Sequence, residues 1–512
     1  MTKLNHQDTL YLQDVVEIGG DLLLLPRMQL PNLSESLALQ KAGVINVGTS
    51  LIARNTLLGE TLSRQEHYVR SRMKEGVEPA WIEELPLRLR MWLRYSYAIE
   101  QEEPLSIMNC FPNTGIWYMV REDGLCEKVA RLFDLWRLQN IKQLGFLQQP
   151  WIKMEDRRLN MPINEMSRYV HSLDVMCLAS VIGYNLGLPE TEFNTLRVAA
   201  FTHDWGTPAG GDSVKLVDLK AFDEDLNYER LLGKLNQEEW QHFQADYKVN
   251  QNLLVQTILN QGLLGQILDL ADKLSYVARD IVTVLGVMLD PNDDEVYVGT
   301  RALQELVDAF PYLCSIWDSV KVVKNKLVFT DVWRLVAFLK ARITLFRELY
   351  YHPRARFGEY LISRVLVKML YERGELTRDM LLEMNDYELE RLLDKTYGQH
   401  AVMWGLSTTT KVQSFTTREE AEAFKKELGR SGNRFALIED HLRSIKTGTD
   451  FLVETRQGPM PLSNAYPGDA QELFEMANML PAVHVYYFGN EEPLDSKMAD
   501  LVDLMQQTTA SD

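Results

Sequence analysis

Three apolar, helix-patterned segments of this chain each carry a group that an apolar core cannot hold alone. "MSRYVHSLDVMCLASVIGYNLGLP" places His171 in mid-helix, and Gly187 and Pro189 stop the run. "TEFNTLRVAAFTHDWG" ends on the adjacent pair His203 and Asp204. Far downstream, "GLLGQILDLADKLSYVARDIVTVLG" carries Asp272 among Leu and Ile. An unpartnered imidazole or carboxylate in such surroundings is costly. The cheapest fold brings the three helices together so that one divalent cation satisfies all four groups. Two imidazoles and two carboxylates suit a first-row ion: Mn, Fe, Ni or Zn ahead of Mg.

In the third segment, Ile267, Leu270, Leu274, Val277, Ile281 and Val284 form the predicted buried stripe. Asp272, Tyr276 and Asp280 recur at every fourth position and share another face. A regular polar face beside a metal ligand is what an active-site wall requires.

At 512 residues the chain exceeds one ordinary core, so more than one domain is expected. Residues 1–104 read as a mostly helical extension, with "PAWIEELPLRLRMWLRYSYAIE" at helical spacing and Pro86 as a boundary. Residues 105–395 read as a helical core. From 396 to 512, short strands ("GNRFALIED", "DFLVETRQG", "AVHVYYFG") alternate with short helices ("TREEAEAFKKELG", "DAQELFEMANML"), which predicts a smaller α+β domain. The fold class expected is therefore mainly α with a smaller α+β C-terminal part.

The net charge of −18 disfavours nucleic acid and anionic membrane as partners, while leaving room for a small anion in a local basic pocket. No stretch reaches the roughly 20 apolar residues of a membrane helix. The start lacks a basic signal region, and Cys110, Cys126, Cys177 and Cys314 are scattered, so a reducing, cytoplasmic setting is expected.

These blocks resemble the HD superfamily of metal-dependent phosphohydrolases, and within it the deoxynucleoside triphosphate triphosphohydrolases, which include bacterial dGTPases. "FDLWRLQNIKQLG" is similar to the block before the first metal histidine, which would make Gln143 and Leu144 sugar contacts. "SRYVHSLDV" looks like the family's R-x-x-H-S-L, implying Arg168 on phosphate and His171 on metal. "DKLSYVARD" matches D-K-x-x-Y-x-x-R-D. By that likeness Asp272 is a ligand, Lys273 and Tyr276 contact phosphate, and Asp280 meets the sugar 3′-hydroxyl. "FLKARITLFRELYYH" resembles a later helix whose Arg, here Arg342, reaches the triphosphate. The resemblance also implies a homo-oligomer with a possible allosteric nucleotide. The implied reaction is dNTP plus water to deoxynucleoside and triphosphate, with a metal-polarised phosphoryl oxygen and an activated water.

The chain departs from the family where auxiliary histidines stand. Thr207 and Asp212 occupy two of those places, and Asn227, Tyr228 and Glu229 stand where His-Glu would be. Three readings follow. Asp212 or Glu229 supplies the base; the activated water suffices; or the site binds nucleotide with weak or no hydrolysis. HD-type phosphodiesterase or phosphatase activity is a further alternative. The Gly-rich "TPAGGD" reads either as a phosphate-binding nest of amides or as a plain turn.

Overall fold

The computed structural model describes residues 15–18, 21–24, 125–147, 153–154, 157–158, 167–288 apart from 216, 316–351, 353–397, 411–430, 435–440 and 447–488. Within the expected N-terminal extension, only an antiparallel hairpin, β1 (Val15–Ile18) with β2 (Asp21–Leu24), is described. The helices expected elsewhere in 1–104 lie outside the described residues.

The fold is mainly α, with small sheets toward the C-terminus. The helices run in the order α1 (Leu125–Leu132), α2 (Arg168–Asn185), α3 (Glu190–Thr202), α4 (Asp212–Lys215), α5 (Glu224–Leu232), α6 (Gln237–Tyr247), α7 (Gln251–Ile258) and α8 (Gly262–Met288). After them come α9 (Val332–Leu345), α10 (Pro353–Tyr360), α11 (Lys368–Glu372), α12 (Arg378–Glu383) and α13 (Asp386–Tyr397). None of the described helices is long and apolar enough to cross a membrane.

Helix α2 is the centre of the bundle. Its residues from Arg168 through Ser180 are all buried; most are apolar or small, and Arg168, His171 and Asp174 are the charged or titratable groups among them. Gly187, at φ +66°, lets the chain reverse, and the Leu188 amide caps the Gly183 carbonyl at 3.1 Å. α3 and α8 pack on either flank of α2. The predicted stripe of α8 is buried at Ile267, Leu270, Leu274 and Val277.

Two sheets follow. Strands β5 (Val320–Val323) and β6 (Lys326–Phe329) form a hairpin through Lys324 and Asn325, both at positive φ. β6 then pairs in parallel with β9 (Leu452–Val453), and β10 (Met460–Pro461) adds at the edge. One sheet therefore draws strands from both sides of residue 396, and the β5–β6 hairpin lies in a stretch expected to be helical. The second sheet, order β7–β11–β8, sets β11 (Val483–Phe488) between β7 (Lys411–Phe415) and β8 (Phe435–Asp440).

A buried carboxylate fastens the loop after α3 to the turn before α2. Asp386 Oδ1 accepts from the Gly210 amide at 2.7 Å and Oδ2 from the Lys142 amide at 2.9 Å. Beside it, Gly145 (φ +51°) lies so close that a Cβ would sit 2.5 Å from the Gly210 carbonyl oxygen. Burial raises the Asp386 pKa to about 6, against the two amides and Lys142, which lower it.

The raised value means that folded protein binds this proton more tightly than unfolded chain. The associated stability is present below pH about 4 and is lost as pH rises through about 6. Wild-type unfolding free energy should therefore contain a declining component of about 2–3 kcal/mol between pH 4 and 7. Asp386→Asn, a neutral side chain that does not titrate, should lack this declining component. In urea titrations wild type should lose stability relative to the variant as pH rises; a constant difference refutes the assignment.

Candidate metal centre

His171 leaves the first turn of α2, His203 and Asp204 follow the last turn of α3, and Asp272 projects from α8. The helices bring His171, His203 and Asp204 to one point, with Asp272 against the two imidazoles. His171, His203 and Asp204 offer ligand atoms all within 4.8 Å of one another. Asp272 Oδ1 lies 2.9 Å from His171 Nε2 and 3.8 Å from His203 Nε2. Asp204 Oδ2 is 3.8 Å and 3.6 Å from the same two nitrogens.

The back of each imidazole is anchored. His203 Nδ1 is 2.8 Å from the Ala200 carbonyl, which can only accept, so Nδ1 carries the proton. That leaves Nε2 as a lone pair aimed inward, buried and without a hydrogen bond. His171 Nδ1 lies 3.2 Å from Ser275 Oγ, one turn beyond Asp272 on α8. A ring nitrogen held by a carbonyl or hydroxyl while the other faces an ion is the usual support of a metal-bound imidazole.

Electrostatics point the same way. Burial lowers the His171 pKa, against the pull of Asp272. For His203 burial also works downward, but Asp204 and Asp272 outweigh it and the value is raised. Burial alone would raise both carboxylates. Arg168 with the imidazoles holds Asp204 well below the usual range, and His171 lowers Asp272. Ionised carboxylates around an orphaned imidazole nitrogen form a donor set that fits a divalent cation.

Other expected site residues are placed differently. Arg168 is 5% exposed, and its Nη1 donates to both Asp204 oxygens at 3.1 Å while Nη2 donates to Asp212. Its guanidinium thus positions carboxylates rather than standing open to phosphate. Lys273 turns off the Asp272–Tyr276–Asp280 face; it pairs with Asp269 and lies 5.9 Å from the Phe451 ring. Glu229 is exposed on α5, and none of the described contacts of the centre reaches it.

Instead α5 sends in Glu224, which the sequence reading missed. Glu224 accepts from Thr207 Oγ1 at 2.6 Å and pairs with Lys215. Lys215 also pairs with Asp212 at 2.6 Å. Burial, with the Asp204 and Asp212 charges, raises the Glu224 pKa despite Lys215. The cations Arg168 and Lys215 hold the half-exposed Asp212 well below the carboxylate range, a poor setting for a general base near neutral pH. The glycine-rich loop is no anion nest. The Thr207, Ala209, Gly210 and Gly211 amides are bound to Asp204, Leu381, Asp386 and Pro208.

Along α8 the polar face continues inward. Arg342 Nε donates to Tyr276 Oη at 2.6 Å, and Tyr350 donates to Asp280, which is fully buried. Burial raises Tyr276 to about 12, so it stays a hydroxyl donor. Tyr350, also unforeseen, ends a π-helical turn, Phe346–Tyr350. Gln143 is buried with Oε1 lacking a hydrogen bond, and Leu144 packs against the core. Their segment abuts the start of α2, since the Arg168 amide donates to the Ile141 carbonyl at 2.8 Å.

No protein-family model matches this chain. An uncharacterized protein of Methanocaldococcus jannaschii is 24% identical over 277 residues, 52% of each chain. The chain therefore spans about half the length of that curated relative. A hypothetical protein from Aquifex aeolicus shares the fold with a TM-score of 0.50 at 17% identity, over 75% of this chain and 95% of its own. A phosphohydrolase from Bacteroides thetaiotaomicron gives a TM-score of 0.49 at 16% identity, over 71% and 95%.

Lys215 is the cation between two acids, so Lys215→Met should destabilise the protein by about 3 kcal/mol, the usual result of breaking a buried pair. Lys215→Met with Glu224→Met should recover part of that loss, because the pair is then replaced by apolar surface. Denaturant unfolding of both variants measures this, and equal losses would show that Glu224 does not face Lys215.

Proposed function

We propose that this protein is a metal-dependent nucleotide phosphohydrolase, and that its reaction is dNTP triphosphohydrolysis, giving deoxynucleoside and triphosphate. The observation that carries the reading is the convergence of His171, His203 and Asp204, with Asp272 beside both imidazoles and the outward nitrogens of both rings already anchored. A divalent ion bound there would act as Lewis acid toward a phosphoryl oxygen and acidify a water.

The chain's own residues divide the remaining work. Arg168 neutralises and orients Asp204, keeping it ionised as a ligand must be. Arg342 of α9 and Tyr276, one turn along α8 from Asp272, present a cation and a hydroxyl donor where phosphate oxygens would be met. Tyr350 and Asp280 form a hydroxyl–carboxylate pair that suits a sugar hydroxyl, and the unpaired Gln143 Oε1 can accept from one. Thr207 and Asp212, which stand where the resemblance would put histidines, join Lys215 and Glu224 in a charge-compensated network. Of its two acids, Glu224 has the raised pKa and is the better proton carrier.

That same network motivates a second reading, a nucleotide-binding regulator with little turnover, because its acids are paired and no imidazole takes part. Purified protein should contain about one transition metal ion per chain by elemental analysis. Incubation with each common NTP and dNTP should release triphosphate from dNTPs. Tight dNTP binding without any product favours the regulator; monophosphate or diphosphate products favour a phosphatase or phosphodiesterase. Asp204→Ala should lose metal and reduce kcat by at least about 1000-fold. Full activity in that variant would remove the basis of the mechanism.

A further inference from the structure

Strand β11 has two working faces. Val483 and Val485 pack with Ala421 and Leu428 in a small separate core. By strand alternation His484 and Tyr486 point the other way, toward the helical core, and both are fully buried. They grip one short joint between α9 and α10. His484 Nε2 is 3.0 Å from the Tyr351 carbonyl, and Tyr486 donates to the Pro353 carbonyl at 3.2 Å. Ser414 Oγ on β7 lies 2.8 Å from His484 Nδ1. Since the Tyr351 carbonyl can only accept, Nε2 carries the proton and Ser414 donates to Nδ1. The Tyr486 ring also packs on Phe357, with centroids 4.9 Å apart.

The joint is where two arms of the candidate site originate. On one side stands Tyr350, bound to Asp280 at the inner end of the α8 polar face. Its π-helical turn closes on the Tyr351 amide, which donates to the Phe346 carbonyl at 2.8 Å. Such turns are weaker than α-helix and need outside support. On the other side α10 carries Glu359, which accepts from Ser213 Oγ at 2.7 Å, beside Asp212.

We propose that His484 is a positioning residue. Through the Tyr351 carbonyl it fixes Tyr350 over Asp280, so the C-terminal sheet controls nucleotide affinity from outside the metal centre. The affinity arm rests on the function proposed above; the structural arm does not.

The test compares wild type, His484→Phe and His484→Gln by hydrogen exchange and by kinetics with Mn²⁺ and each of the four dNTPs. In His484→Phe, amides in 346–351 should exchange faster by about five-fold or more, the worth of one buried hydrogen bond. Amides of 266–280 on α8 should keep their wild-type rate. KM should rise by a similar factor while kcat changes less than about two-fold and metal content holds. His484→Gln, whose amide can donate to the same carbonyl, should recover both. If His484→Phe does not fold, Tyr486→Phe, which keeps the ring and loses only its hydroxyl, should show faster exchange in the same segment. Unchanged exchange at 346–351, acceleration spread evenly over the chain, or a fall in kcat with KM unmoved would each overturn the proposal. If wild type neither binds nor cleaves any dNTP, the functional reading fails, and the exchange result still decides whether His484 holds this joint.

Discussion

The arrangement depends on ionised carboxylates kept inside a helical bundle. Asp204 and Asp272 lie beside two buried imidazoles, and burial works against every charge present. Arg168 contacts both oxygens of Asp204, and the imidazoles supply the rest of the stabilisation. An incomplete balance of this kind is stable when a cation joins it. The fold and the cluster are therefore coupled, since the helices that pack on α2 also deliver His203, Asp204 and Asp272.

Around this centre the protein uses carboxylates as fasteners. Asp386 ties the Gly210 loop to the Lys142 turn, and Glu359 ties α10 to Ser213. Each bond starts in a segment more than 100 residues from its partner. The loop after α3 is held on several sides, which accounts for its amides being committed within the protein. A rigid loop of this kind presents Asp204 in one orientation.

The loop after α3 and the start of α5 build a coherent polar structure beside the centre. Thr207, Asp212, Lys215 and Glu224 form a chain of hydrogen bonds and ion pairs that closes on Arg168. Such a network is satisfied internally, so it rigidifies the loop. Asp212 acts in it as a bridge between Arg168 and Lys215.

Much was legible from the order of residues alone. Helical periodicity placed α2, α3 and α8, and the cost of leaving His171 or Asp272 unpartnered in apolar helices brought the four groups together. The i, i+4, i+8 spacing put Asp272, Tyr276 and Asp280 on one face for the same geometric reason. Side-chain direction across elements was not legible. Arg168 and Lys273 carry the right charge, yet Asp204, Asp212 and Asp269 compete for them. Glu224 and Glu229 lie five positions apart on one helix, and only the packing of α5 decides which faces inward. Tyr350 depends on a π-turn, and the β5–β6 hairpin on a parallel partner more than 120 residues away. Local spacing dictates what a helix presents; which charges meet is settled when distant segments close on one another.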